Sequence, residues 1–296
     1  MPRSSTSVRR SSCPRRPPEP PGPTRLSAST TRPFYASPGL NTETYDVRTA
    51  HDLVAQGLDR DVAFYIEEAK RTGGPVLELG GGTGRVSWAL AEAGFDVVLL
   101  DLSEAMIERA EAKRSAEPGA VSARLRTVRA DMSDYALDRR FQLAIAPFRA
   151  FMTLVTAEDQ RRCLDTTRRH LESGGRLILH LFDPRLDLLV GEGPPNPDRG
   201  SVRHPVTGND VRIAVLSRSV DLLRQVFEER WRFAESTAEG HLVREEEEVL
   251  RLRWTYRYEM RHLLELTGFE VEAEFSSFDR SPSVYGREQI WVSRAL

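Results

Sequence analysis

The chain has 296 residues, 40% of them apolar and 29% charged, which is the balance of an ordinary globular protein with room for one large or two small domains. No apolar run approaches the roughly 18 residues that a membrane span needs, so no membrane partner is expected. The formal charge of −2 hides an asymmetry: residues 1–33 carry seven arginines and one glutamate, which leaves about −8 on the rest, and an acidic body argues against a nucleic-acid partner.

Residues 1–33 hold eight prolines among serines and arginines and have no apolar periodicity. Such a stretch cannot bury enough surface to offset its ordering entropy, and a disordered tail is expected there. Cys13 and Cys163 are the two cysteines, with neither metal-ligand spacing nor a disulfide framework, which points to a reducing, cytoplasmic setting and no metal.

A βα alternation then begins. The spacing predicts a helix over Asp52–Arg71 with Val62, Ile66 and Ala69 on one face, a strand over Val76–Gly80, a helix over Thr83–Ala93 and a strand over Asp96–Asp101. Ser103 is placed to cap a helix reaching Glu117, because its side chain can accept from first-turn N–H groups. Strands follow over Leu125–Arg129 and Phe141–Ala146. A helix capped by Thr156 and Asp159 runs to Ser173-Gly174-Gly175, and Arg176–Phe182 is a fifth strand. Strands alternating with helices imply a doubly wound, mainly parallel sheet of the α/β class.

Residues 184–254 break that rhythm. A loop over Gly191–Pro205 precedes period-two segments at Val211, Ile213 and Val215, at Phe227, Trp231 and Phe233, and at Leu250, Leu252 and Trp254, which read as antiparallel strands. The run Glu245–Glu248 reads as a solvated strand face. A last helix over Tyr256–Thr267 leads into strands near Val271–Phe275 and Gln289–Ser293, an antiparallel carboxyl-terminal pair.

The stretch Val76-Leu77-Glu78-Leu79-Gly80-Gly81-Gly82-Thr83-Gly84 passes directly from strand to helix. Glycines there allow a tight turn and close approach of a ligand to the backbone, while the helix offers free N–H groups. Asp101, 21 residues beyond Gly80, ends the next strand, where an acid accepts hydrogen bonds from ribose hydroxyls. The dinucleotide fingerprint G-x-G-x-x-G fails in every register, its last position being Arg85 or Ser87. An NAD(P)-dependent oxidoreductase is therefore the weaker alternative, beside a catalytically silent cofactor-binding partner of another protein.

The pattern acid-x-Gly-x-Gly-x-Gly, followed by Asp101-Leu102-Ser103-Glu104-Ala105-Met106, resembles the class I S-adenosylmethionine-dependent methyltransferases, with their Rossmann-like fold. The resemblance implies that Gly80, Gly82 and Gly84 line the methionine part of S-adenosylmethionine and that Asp101 holds the ribose. Leu102 and Met106 then flank the adenine, Asp131 meets its amino group beside Met132, and Glu78 orients the loop or the amino group of the cofactor. Ala146-Pro147-Phe148-Arg149-Ala150-Phe151 and Gly286-Arg287-Glu288-Gln289-Ile290-Trp291-Val292 resemble, more narrowly, bacterial methyltransferases of the small-molecule type.

The family's base- and amide-methylating members carry a polar residue before the Pro of this first stretch; here it is Ala146, which lowers the expectation of such an acceptor. Arg149 is a candidate for binding an acidic acceptor, and His180 and Asp183 are candidates for taking a proton. The resulting organisation is a tail over 1–33, a helical lid segment over 34–73 and a cofactor-binding core over 74–183. An inserted β segment over 184–254 covers the site of a small-molecule acceptor, and a helix and strands over 255–296 complete the core.

Overall fold

The structure, a computed structural model, describes residues 32–185 and 197–296. The expectations for residues 1–31 and for the 191–196 part of the loop lie outside the described residues. The amino-terminal segment comprises a two-residue strand β1 (Arg32–Pro33) and three helices, α1 (Leu40–Glu43), α2 (Tyr45–Gln56) and α3 (Asp61–Thr72). The helix expected as one piece is broken because Gly57, at φ +68°, ends α2 in the left-handed region that glycine tolerates. Its N–H closes back on the carbonyls of Leu53 and Val54.

The core then follows the expected alternation: β2 (Val76–Leu79), α4 (Arg85–Glu92), β3 (Val97–Asp101), α5 (Glu104–Lys113), the short α6 (Gly119–Ser122), β4 (Leu125–Arg129), β5 (Phe141–Ala146), α7 (Ala157–His170) and β6 (Leu171–Phe182). The helix before β6 stops at His170 rather than at the glycines. The chain extends at once, Leu171 pairing with Phe141, and Gly174 takes φ +76° within the strand. The inserted strands are β7 (Asp198–Arg203), β8 (Asp210–Asp221), β9 (Val226–Ser236) and β10 (Leu242–Arg253), and the chain ends in α8 (Arg257–Leu266), β11 (Phe269–Phe275) and β12 (Glu288–Ala295).

Seven strands form the main sheet in the order β11-β12-β6-β5-β2-β3-β4. The five from β6 to β4 are parallel, as right-handed crossovers through helices require, and β12 joins β6 antiparallel with β11 outside it. Period two then decides the faces. Leu177, Leu179 and Leu181 of β6 pack with Cys163 and Leu164 of α7 and with Met260 and Leu264 of α8. Ile178, with Ile145 and Leu99, packs on the opposite face with Phe64 and Tyr65 of α3 and Leu90 of α4.

A second sheet of five strands has the order β1-β10-β9-β8-β7. Two expectations change here. Arg32 and Pro33, read as tail, pair in parallel with Glu248 and Val249, and Asp198–Arg203, read as loop, is a strand against β8. One face of this sheet buries Val211, Ile213, Val215, Trp231 and Phe233 under Leu40 and Phe34, so the amino-terminal segment is the cover of the inserted sheet.

That cover also corrects the glutamate run. Glu245 and Glu247 do face outward toward Arg232 and Arg230, but the alternate residues lie beneath the segment. Glu246 accepts from the Leu40 N–H at 2.9 Å, and the fully buried Glu248 accepts from Asn41 Nδ2 at 2.6 Å and the Tyr35 N–H at 3.0 Å.

Candidate functional site

At the carboxyl end of β2 the chain turns by way of left-handed glycines. Gly80 sits at φ +65° and donates its N–H to Leu100 O at 2.7 Å, and a Cβ there would stand 2.6 Å from Ala150 Cβ. Gly82, at φ +56°, is less crowded: the three atoms nearest a Cβ there all belong to Tyr45, at 3.8 to 3.9 Å, so the backbone at this point leaves room for close approach. Gly84 is the residue before the first turn of α4.

Asp101, the last residue of β3, holds this loop in place. Its Oδ2 accepts from the Gly82 N–H and its Oδ1 from the Ser103 N–H, each at 2.8 Å. Burial pushes its pKa up, opposed by these backbone donors. Ser103 in turn caps α5 by accepting from the Met106 N–H at 3.2 Å, as its sequence position predicts. Glu78 is almost fully buried beneath the loop, where the Ser87 hydroxyl of α4 donates to it, and burial raises its pKa to about 7. It braces β2 against α4.

Beside the loop lies a cavity of about 220 Å³ whose lining includes Gly80, Asp101, Leu102, Asp131 and Met132. These five expected residues are brought together from the ends of β2, β3 and β4. Leu102 forms an exposed rim, and Asp131 turns its chain by accepting from the Ser133 N–H at 2.8 Å. The far wall is Thr153, Leu154 and Val155, from the turn after β5, which no sequence signal singled out. Met106 is 2% exposed and is not part of this lining. The volume is below the 300–1,000 Å³ common for complete ligand sites and is of a size for part of a nucleotide-type ligand. The lining, carboxylates at the end of β3 and just after β4 beside a glycine turn, fits S-adenosylmethionine.

The three candidates for acceptor chemistry lie elsewhere along the carboxyl edge of the sheet. Phe148 and Arg149 adopt φ of +47° and +69° in succession, a conformation costly for side-chain-bearing residues. The turn is held by the Arg149 guanidinium, which donates to Glu288 Oε1 at 2.8 Å and Gln56 Oε1 at 3.1 Å and lies 5.5 Å over the Phe182 ring. His180, fully buried, shares the same carboxylate, its Nε2 lying 2.9 Å from Glu288 Oε2. Burial acts to raise the pKa of Glu288, but Arg149 and His180 outweigh it and hold the group down to about 2.

Asp183 accepts from the Gly286 N–H at 2.7 Å and Gln289 Nε2 at 2.8 Å and faces Arg257 at 3.6 Å. It ties the end of β6 to the start of β12. His180 has no solvent-facing atom through which to take a proton. Glu288, which joins the stretches beginning at Ala146 and Gly286, was not singled out from the sequence, since the pairing spans 139 residues.

Residues 76–175 match a known family described as a methyltransferase domain. A cypemycin N-terminal methyltransferase from a Streptomyces species is 31% identical over 175 residues, 58% of this chain and 66% of that protein. The tRNA 5-carboxymethoxyuridine methyltransferase of Escherichia coli strain K12 is 34% identical over 131 residues, 44% of this chain and 47% of that protein. The chain therefore spans less than two thirds of the length of these curated relatives. Among solved structures, a SAM-bound amino pentose methyltransferase from Micromonospora echinaspora is 26% identical, with 80% of this chain and 89% of that chain covered and a TM-score of 0.58. An S-adenosylmethionine-dependent methyltransferase from Clostridium acetobutylicum, 16% identical with 85% and 98% coverage and a TM-score of 0.68, shares the fold alone. None of these matches supports an NAD(P)-dependent oxidoreductase. Sheet order, glycine turn and family match thus agree: residues 76–175 form a methyltransferase domain, in a chain similar to S-adenosylmethionine-dependent methyltransferases.

Proposed function

We propose that this protein transfers the methyl group of S-adenosylmethionine to an amine nitrogen of a small-molecule acceptor. The bound donor supplies an electrophilic methyl on a sulfonium, and the protein contributes alignment and exclusion of water. In this reading the Asp101 carboxylate accepts from the ribose hydroxyls and Asp131 from the adenine amino group. Leu102 and Met132 flank the base, and Gly82 lets the amino-acid half lie against the backbone.

The observation that carries the acceptor half is the exit of β5. Ala146-Pro147-Phe148 offers no polar side chain at the position where a planar amide or base NH2 would be held. A tetrahedral amine needs no such clamp, and once its ammonium form has lost a proton to solvent it brings its own lone pair, so it also needs no buried base, in keeping with the internal partners of His180 and Asp183. The names of the Streptomyces and Micromonospora relatives, an N-terminal and an amino pentose methyltransferase, support the same acceptor atom. The amino-terminal segment and the inserted sheet would cover the acceptor. An RNA acceptor, which the Escherichia coli relative's name gives for that protein, is disfavoured by the charge of about −8 outside residues 1–33.

Among the described residues no helix is long and apolar enough to cross a membrane.

Calorimetric titration with S-adenosylmethionine, S-adenosylhomocysteine and NAD tests the donor, and a screen of amino sugars and peptide amino termini against hydroxyl and carboxyl acceptors tests the atom. Methylation confined to oxygen acceptors would overturn the amine assignment, and binding of NAD alone would overturn the donor.

A further inference from the structure

The family match begins at Val76, which leaves the preceding segment without an assigned part in the site. Its geometry gives it one. The three atoms nearest a Cβ on Gly82 all belong to Tyr45, the first residue of α2, at 3.8 to 3.9 Å from its hydroxyl and ring. Its phenol thus stands over the least crowded glycine of the turn.

Asp46 closes beside it on the next loop residue. The Thr83 hydroxyl donates to Asp46 Oδ1 at 2.5 Å, and Lys113 Nζ, from the last turn of α5, lies 3.0 Å from Asp46 Oδ2 and donates to Thr83 Oγ1 at 3.2 Å. Lys113 is one of two lysines in a chain with 42 Lys and Arg residues together, and it completes a three-membered polar ring. Further along the same seam the Ser103 hydroxyl donates to Tyr35 O and Arg109 Nη2 donates to Glu43 O at 3.1 Å.

These bonds to the cofactor side are polar, and Asp46 and Lys113 are each about one third exposed. The firm apolar contacts of the segment go elsewhere, Phe34 and Leu40 into the inserted sheet and Leu53 and Leu58 into the core beside α3. A partly exposed ion pair is worth about 0.2–1 kcal/mol, so this seam can part and re-form while the apolar anchors at both ends stay in place.

We propose that residues 40–56 form a wall of the donor site, with Tyr45 against the methionine half of S-adenosylmethionine and Asp46, Thr83 and Lys113 as the latch that closes it. An aromatic ring at that place also suits a sulfonium cation. The proposal rests on the reading that the glycine turn holds this donor.

The test uses the full chain. Labelled S-adenosylmethionine is bound and chased with unlabelled ligand for wild type, Asp46→Ala, Lys113→Met and the double variant. Each single change is expected to speed release about two- to fivefold, with the double variant no faster than the singles, because both remove one interaction. Tyr45→Ala is expected to weaken S-adenosylhomocysteine about fivefold or more while changing 5′-methylthioadenosine, which lacks the amino-acid half, by less than about twofold. Unchanged release in both latch variants, or equal weakening of the two ligands by Tyr45→Ala, would overturn the wall and latch. A wild-type protein that binds neither ligand would overturn the donor assignment instead.

Discussion

The carboxylate of Asp101 accepts a hydrogen bond from the backbone N–H of Gly82 at 2.8 Å, which ties the residue proposed to hold the ribose to the turn proposed to carry the methionine half. One group thereby shapes both halves of the donor site, and loosening it affects the two together.

Asp101→Ala is expected to weaken S-adenosylmethionine by roughly 1.5–3 kcal/mol, the range for hydrogen bonds to a charged group, or about tenfold or more. Calorimetry on the folded variant checks this. Unlike Tyr45→Ala, it should weaken S-adenosylhomocysteine and 5′-methylthioadenosine alike, since both carry the ribose. Unchanged affinity would remove the ribose assignment.

Gly82→Val should abolish donor binding while leaving the fold intact. The position is at φ +56°, which a branched side chain resists, and its open side is where the ligand is proposed to lie. Gly80→Val is the contrasting case, because the new side chain would collide with Ala150 and lower thermal stability as well. A Gly82→Val protein that binds at wild-type affinity would sink the loop assignment.

Glu288 gives the protein an acid-sensitive ion pair. Its pKa is lowered from 4.5 to about 2 on folding, so its contribution is fully present above pH 4.5 and is lost as the pH falls toward 2. The shift corresponds to at most about 3 kcal/mol. Urea melts at pH 6 and pH 3 should show wild type losing more stability than Glu288→Gln over this window, with Glu288→Gln the less stable at pH 6. Parallel losses in the two proteins would show that the pair contributes nothing to folding.

Removing residues 1–31 should leave the melting temperature unchanged, because that stretch lacks the apolar periodicity needed for core contacts. Extending the deletion through Tyr35 removes β1, the Phe34 ring at 5.4 Å from Trp231 and the Tyr35 N–H bond to Glu248. A loss of roughly 2 kcal/mol or more is expected for that deletion alone. Scanning calorimetry of the two truncations distinguishes them, and equal stability would place no weight on the cover of the inserted sheet.

What the sequence alone determined is local. The βα alternation, the glycine turn, Asp101 at a strand end, and the Ser103 and Thr156 caps all depend on residues within one element or one crossover, where spacing and backbone preference are sufficient. The cleft lined by Gly80, Asp101, Leu102, Asp131 and Met132 was legible for the same reason, since parallel strands deliver their ends to one edge. Period two in the run Glu245–Glu248 also separates its residues into two faces, but nothing local says that Leu40, Asn41 and Tyr35, more than 200 residues earlier, cover one of them. Arg149 with Glu288, and Asp46 with Thr83 and Lys113, are likewise pairings between segments far apart in the chain. Tertiary packing decided these, because a charged side chain carries no mark of its partner until burial removes water as the alternative.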